Sequence, residues 1–451
     1  MSWLVTLSYG APGLGAGYMY LIMSLYVMKF STDVLLIPPA VMGVIFSLSR
    51  IWDAVSDPLV GYLSDRTRNR FGRRRTWILA SAVPIFGAFI MVFAPPQGIT
   101  GTGLAVWMAV AVICFYSAMT VFFVPHLSLG AELSESYHER SRLFGVRHGF
   151  YTFGSIISLA TLYVLGSAEQ QGTEVVRARA FELAVVASAV MALLLIGAVS
   201  QLRERADFQG RVSAQPFHAF RDVWRNRYAR LLILVTFIEH VGSAAIAALT
   251  LYVAQYVVGA AVWAPVIILC YMIPSSFSVP LWIPLSRRFG KIRLWMFSMI
   301  LTGLSFGSMF ALPFLPTLEF KLTYICIAAA FAGLAAGCGG TISPSIQGDV
   351  IDYDELMTGE RKEGSYFAAW NFVYKSATGV MLMLTGFVLQ VAGFEPNQAQ
   401  PMSVQLAIVT LYGLFPLVCY AIGAFLFRNF RLDEETHAEI RRQLDERPDP
   451  A

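Results

Sequence analysis

Apolar residues along this chain neither alternate nor keep to a single helical stripe. They run on, nearly unbroken, for 18 to 28 residues at a time and then give way to short polar segments. Such runs cover residues 7–27, 38–63, 77–94, 103–124, 144–166 and 181–201. After a longer polar break they resume over 231–258, 262–285, 294–312, 322–346, 366–391 and 403–427. A bilayer core about 30 Å thick takes about 20 residues of helix, and inside it every backbone group must be bonded within its own segment. The pattern predicts an all-α membrane protein of twelve transmembrane helices. It has a six-helix bundle over 1–201, a linker over 202–230, a second six-helix bundle over 231–428 and a tail over 429–451. The first run lacks a basic leader and a small-residue cleavage site, so it is expected to remain as a helix.

Composition agrees. Of 451 residues, 56% are hydrophobic and only 14% charged, against about 25% charged in soluble domains. A soluble globule is excluded, and so is a disordered chain, whose composition would be the reverse. The net charge of +4 does not signal nucleic-acid binding, because no basic block interleaves with aromatics in a soluble domain. Cys114, Cys270, Cys326, Cys338 and Cys419 all lie in apolar runs without CxxC spacing. Neither a disulfide framework nor a zinc site is expected of them.

Placing the basic residues orients the chain. Of the 33 Lys and Arg, 27 fall in the turns at 65–76, 140–147, 287–293 and 361–362, the central break and the tail. Lys29, Arg177, Arg179 and Lys321 mark the opposite side, and Arg50 and Lys375 lie within runs. The positive-inside rule then puts both termini and the linker in the cytoplasm. Within the linker, 217–228 mixes aromatics with Arg and either lies along the membrane surface or is a solvated connection. The two halves also repeat a turn. Arg70-Phe71-Gly72-Arg73-Arg74-Arg75-Thr76-Trp77 follows the second run, and Arg288-Phe289-Gly290-Lys291-Ile292-Arg293-Leu294-Trp295 follows the eighth. Two parallel halves of six helices are the architecture of the major facilitator superfamily.

The chemistry is concentrated in the few charges within the spans. Asp53 and Asp57 stand four residues apart on one face of the second helix. Each charge near the bilayer centre costs on the order of 2.5–3.5 kcal/mol, and neighbouring carboxylates repel. One of them must hold a proton, or both must share a cation. Pro58 frees the carbonyl of Ala54, one more hard oxygen for Na⁺ or H⁺ coupling. The alternative is an ion pair of Arg50 with Asp53, though one Arg does not balance two acids.

The core Asp53-x-x-x-Asp57-Pro58-x-x-Gly61-x-x-x-Asp65-Arg66-Thr67-Arg68 resembles the glycoside–pentoside–hexuronide:cation symporter family of the major facilitator superfamily. The resemblance extends over nearly the whole chain. It takes in Ser8-Tyr9-Gly10, Glu139-Arg140-Ser141-Arg142, Asp349-Val350-Ile351-Asp352-Tyr353 and Lys375. It implies that Asp53 and Asp57 bind the coupling cation with help from Ser56 and Thr120. Where Ser56 stands the family often has Asn, which leaves Na⁺ and H⁺ both open. The resemblance also associates Arg147 with a sugar site; the alternative is an ordinary Arg at a helix end.

Lys375, about ten residues into the eleventh run beside Trp370 and Asn371, is too deep to snorkel with ease. It is expected to pair with the Asp53/Asp57 cluster and to couple cation occupancy to the two bundles. Glu239 and His240 in the seventh run are expected to line the substrate cavity or relay protons, or else to form a helix-joining hydrogen bond. Asp65, Arg66 and Arg140 near one set of turns, and Asp349 and Asp352 after the tenth run, are candidates for a cytoplasmic gate, or are solvated loop charges. Asp65 with Arg66 and Arg70 in the matching turn carries the same two readings.

One departure from the family bears on the solute. Where its glycoside members carry acids for sugar hydroxyls, in the first and fourth spans, this chain has Gly17 and Phe123. A simple α-galactoside is therefore disfavoured. An aglycone, an acidic sugar or an amphiphile remains open, and a related branch of the family carries lysophospholipids. The sequence contains no GxSxG, HExxH or P-loop in a plausible context and no sizeable soluble domain. It is thus read as a monomeric, multi-pass symporter of the cell membrane (the inner membrane if bacterial). It would be neither an enzyme nor a receptor and would need no cofactor beyond its coupling ion.

Overall fold

The computed structural model describes residues 2–133, 137–204, 223–359 and 363–446. They are helical nearly throughout. Nine helices are long and apolar enough to cross a membrane, and two bent helix pairs bring the number to 11. The 28-residue helix Pro39–Arg66 is also long enough to cross, but Arg50, Asp53 and Asp57 dilute its apolar character. All twelve runs read from the sequence lie within helices or bent pairs.

Two compact units are present: Met1–Ala214 with Gly386–Gln390 and Glu395–Gln398, and Gln215–Thr385 with Val391–Phe394 and Ala399–Ala451. In the first unit α1 (Trp3–Leu25) bends by 46° into α2 (Val27–Val34). Then follow α3 (Pro39–Arg66), α4 (Arg73–Phe93), α5 (Gly101–Glu132), α6 (Tyr137–Glu169) and α7 (Thr173–Gln201). The second unit begins with α8 (Arg227–Val258) and the pair α9 (Ala261–Phe277) and α10 (Val279–Phe289), bent by 51°. Pro280 in the first turn of α10 lacks the N–H that would carry the helix across the break. Next come α11 (Lys291–Phe314), α12 (Leu318–Thr358), α13 (Glu363–Val391), α14 (Met402–Phe427) and α15 (Glu434–Asp445).

Glycine sets how closely the first unit packs. A Cβ on Gly17 would lie 2.0 Å from the Tyr151 carbonyl oxygen, and one on Gly154 would lie 1.9 Å from that of Leu14. α1 and α6 therefore meet backbone to backbone, as small residues permit in membranes. Hydrogen bonds hold the contact: Ser155 Oγ donates to Gly17 O at 3.2 Å, and Tyr18 Oη lies 2.8 Å from Thr161 Oγ1. The second unit repeats the device. A Cβ on Gly333 of α12 would lie 2.1 Å from the Tyr271 carbonyl oxygen of α9, and Trp282 Nε1 donates to Leu334 O at 2.9 Å.

The repeated turns take the same backbone form. Gly72 has φ 105° and Gly290 φ 82°, a region open to glycine and strained for other residues. Each precedes the first residue of the next helix, α4 or α11. At the first turn Glu204 accepts the backbone N–H groups of Arg73, Arg74 and Arg75, each at 2.7 Å. A carboxylate there satisfies the orphan donors of the helix start and complements its dipole.

Two expectations need correction. The segment from Asp349 to Glu355, read as following the tenth span, continues α12, which runs 41 residues before Gly359 ends it at φ 75°. Lys29, counted with the loop charges, is buried: it bonds Glu169 and lies 3.6 Å from Asp33. In the linker, 205–222 lies outside the described residues; Val223 is buried, Trp224 is exposed, and Asn226 caps α8 by accepting from Tyr228 N at 3.0 Å.

Candidate cation and solute sites

Helix α3 presents two faces. Leu48, Ile51, Val55 and Leu59 form an exposed apolar stripe, while Ser49, Asp53, Ser56 and Val60 are buried against the first unit. Arg50 Nη1 lies 3.2 Å from Asp53 Oδ2, and its guanidinium sits 3.8 Å above the ring of Tyr116 on α5. One turn on, Thr120 Oγ1 of α5 donates to Asp57 Oδ1 at 2.9 Å. The register between α3 and α5 is fixed further by Trp52 Nε1, which donates to Ser117 Oγ at 2.7 Å. Asp53 and Asp57 thus have different surroundings: a guanidinium for the first, a hydroxyl for the second. Ser56 points its hydroxyl at the Asp53 carbonyl, 3.4 Å away. Carboxylate and hydroxyl oxygens at this spot are hard donors of the kind that small hard cations take, and either acid is also a place for a proton.

Arg147 lies on α6 behind Gly13, where a Cβ would be 2.7 Å from the Arg147 carbonyl oxygen. The residues around it include Tyr9 and His126, whose rings stack at 4.4 Å while His126 Nε2 lies 2.9 Å from Tyr9 O. Gly17 and Phe123, the two departures noted above, have structural roles. Gly17 is the backbone contact already described, and Phe123 meets Tyr20 edge-on at 5.3 Å.

In the second unit Glu239 and His240 lie midway along α8. His240 Nδ1 is 2.8 Å from Thr236 O, and its ring meets Tyr374 of α13 edge-on at 3.8 Å. Because a carbonyl only accepts, Nδ1 carries a proton. Tyr271, Tyr374 and Tyr420 are within electrostatic range of Glu239. On α13, Trp370 is buried beside Tyr366 and Phe367, Asn371 is exposed, and Lys375 is half-buried.

The charges near the repeated turns are paired within each unit. Asp65 bonds Arg74 rather than Arg66 or Arg70, and Arg73 Nη2 lies 2.7 Å from Glu132 Oε1. Arg66 instead covers the Tyr62 ring at 4.0 Å. In the second unit Lys291 Nζ lies 2.7 Å from Asp349 Oδ2, and His437 of α15 lies 3.0 Å from Asp352 Oδ2. The side chain of Arg140 lies outside the described residues.

Several of these partners were missed in the sequence. Tyr116, Glu132 and Glu204 carry no local motif that announces them. His126 did carry a signal, since the rule that picks out an ionisable residue within a span applies to it as well as to Glu239. Lys29 and Asp33, four residues apart, also announced themselves as a pair.

The fold is that of solved membrane transporters. The crystal structure of nucleoside transporter NupG superposes with a TM-score of 0.67 over 95% of this chain and 98% of that one, at 14% identity. The fold is accordingly that of a multi-pass helical membrane protein. Residues 8–434 match the family described as MFS/sugar transport protein, and the chain belongs to that family. It is 26% identical to the uncharacterized symporter YjmB of Bacillus subtilis, over 98% of this chain and 95% of that protein. It is 25% identical to the sodium-dependent lysophosphatidylcholine symporter 1-A of Danio rerio, over 92% and 83%. Identity to the glucuronide carrier protein homolog of Escherichia coli is 23%, over 99% and 96%.

Proposed function

We propose that this protein is a secondary active symporter in which Na⁺ or H⁺, moving down its gradient, drives uptake of a small hydroxylated solute by alternating access. The observation that carries the reading is the pair of membrane-embedded acids. Arg50 sits against Asp53, while Asp57 is held by Thr120 on the neighbouring helix. A cation that binds this group in one state better than in the other shifts the conformational equilibrium by that difference and no more. Asp53, Asp57, Ser56 and Thr120 form the cation site of the proposal. Lys375 and Arg147 belong to coupling and solute binding, and Asp65, Arg66, Arg140, Asp349 and Asp352 to a cytoplasmic gate. Twelve spans with cytoplasmic termini, two bundles joined by the 202–230 linker, and a monomer complete it.

The family's description and the glucuronide carrier relative favour a sugar, glycoside or hexuronide. A second reading, a lysolipid or other amphiphile, is supported by the lysophosphatidylcholine relatives and by the Tyr20, Phe115, Tyr116 and Phe123 rings of the first unit. Thermal unfolding of the purified protein against sugars, glycosides, hexuronates and lysophosphatidylcholine, each with and without Na⁺ and at two pH values, separates them. A ligand of the folded state raises the melting point by mass action. The leading reading expects a cation-dependent rise with a hydroxylated compound; a rise with lysophosphatidylcholine alone replaces it with the second.

A further inference from the structure

Positions 17 and 123 of the first unit carry no acid. A side chain at position 17 has nowhere to go, since its Cβ would already lie 2.0 Å from a backbone oxygen. At position 123 a phenylalanine ring packs against Tyr20 and Phe122, at 5.3 and 5.1 Å. Neither position offers a carboxylate to a diol.

The second unit supplies a different group. A Cβ on Gly339 of α12 would lie 3.9 Å from Glu239 Oε1 and 3.8 Å from Trp295 Nε1, and one on Gly340 would meet nothing within 4 Å. The carboxylate of α8 and the indole nitrogen of α11 therefore converge on the space left by Gly339. Trp295 is buried to 1% exposure. Its indole nitrogen meets no acceptor within hydrogen-bond geometry among the described residues. A buried donor in that condition is costly, and a bound acceptor would satisfy it. Beside it stand His240 and the half-buried Tyr374.

We propose that this glycine-floored slot, formed by Glu239, Trp295 and Gly339 with His240 and Tyr374 at its side, is the polar subsite of the solute and takes neighbouring hydroxyls of a polyhydroxylated ring. The proposal rests on the symport reading above. The chemistry of the slot selects the class. A hydroxyl both donates and accepts, so one ring hydroxyl donates a hydrogen bond to Glu239 while another accepts from Trp295 Nε1. A quaternary ammonium donates nothing and needs open aromatic faces. Here Trp295 is fully packed, with Phe427 against it at 4.7 Å, and Tyr374 is occupied by the His240 ring.

The test uses the full-length purified protein. Thermal unfolding is followed against D-glucose, D-galactose, methyl β-D-glucoside, D-glucuronate, choline and lysophosphatidylcholine, in wild type, Glu239→Gln, Trp295→Phe and Gly339→Ala. At least one hydroxylated probe is expected to stabilise the wild type. Its apparent affinity should fall tenfold or more in Glu239→Gln and Trp295→Phe, and also in Gly339→Ala, whose methyl occupies the slot. The stabilisation of each variant by Na⁺, and that of Trp295→Phe and Gly339→Ala by pH, should stay as in the wild type. That second readout shows that the variant is folded and keeps a failure of the slot distinct from a failure of cation coupling. Equal stabilisation of wild type and Glu239→Gln by the hydroxylated probe overturns the proposal. So does stabilisation by choline or lysophosphatidylcholine that is lost in Glu239→Gln, or the absence of any response to hydroxylated probes.

Discussion

Replacing Gly17 by Ala adds a single methyl group where the structure has no room for one. The new Cβ would lie 2.0 Å from the Tyr151 carbonyl oxygen, 2.8 Å from its carbon and 3.0 Å from its Cα. All three are backbone atoms of a helix, so no rotamer change relieves the clash, and α1 must move away from α6 by roughly an ångström to restore contact distance. That movement strains the bonds tying the helices together: Ser155 to Gly17 at 3.2 Å, Tyr18 to Thr161 at 2.8 Å and His126 to the Tyr9 carbonyl at 2.9 Å. Overpacking costs about 1–3 kcal/mol. Loosening one or two hydrogen bonds adds about 1 kcal/mol, against a gain of about 1 kcal/mol in helix propensity from Gly to Ala. The net expectation is a loss of about 1–3 kcal/mol. Gly87→Ala in α4 is the matched control, because a Cβ there meets nothing within 4 Å; it keeps only the propensity term and gains up to about 1 kcal/mol. Thermal unfolding of both variants in one detergent measures the difference. If Gly17→Ala melted at or above Gly87→Ala, the backbone contact between α1 and α6 would be refuted, and with it the steric reason for the missing acid at position 17.

Three other expectations follow from particular contacts. Thr120→Val keeps the shape of the side chain and removes the hydroxyl that bonds Asp57 at 2.9 Å. Bonds to charged groups contribute about 1.5–3 kcal/mol, so the cation concentration giving half-maximal stabilisation should rise at least tenfold; an unchanged midpoint removes Thr120 from the site. Gly72→Ala meets both a φ of 105° and the Glu204 carboxylate at 2.6 Å, whereas Gly290→Ala meets only a φ of 82°. Thermal unfolding should show the first to be the more destabilising, by about 1 kcal/mol; the reverse order contradicts the role given to Glu204. Asp433 accepts from Thr436 N at 3.0 Å and from its hydroxyl at 2.6 Å, and these bonds hold its carboxyl below the usual range. A depressed carboxyl stabilises the helix above its unfolded value and loses that contribution as pH falls through the folded one. Amide protection over 434–445, taken against the intrinsic exchange rate at each pH, should therefore fall on acidification in the wild type and be already low in Asp433→Ala at neutral pH.

The helices were legible because bilayer thickness writes itself into the sequence as apolar runs. Their ends were not. The tenth run stops where Asp349 brings charge, but helix formation needs no hydrophobicity, so α12 continues until Gly359 turns it off. The repeated turn was visible as an octamer, and its two glycines share one backbone form. Yet the partner of Asp65 was not among its near neighbours, because the chain reverses at Gly72 and brings back Arg74. Within the sites, the meeting of Asp57 with Thr120 was implied by resemblance. That of Glu239 with Trp295 joins residues far apart in the chain, and no local spacing could announce it.

The central claim is that Asp57 belongs to a cation site whose occupancy the protein feels. The most direct measurement is the melting temperature of purified wild type and Asp57→Asn across a Na⁺ titration at constant ionic strength, repeated across pH. The account predicts that the wild type responds to Na⁺ or to pH through this site, and that Asp57→Asn remains folded but loses that response. A variant that keeps the full wild-type dependence, or a wild type indifferent to both ions, would contradict it.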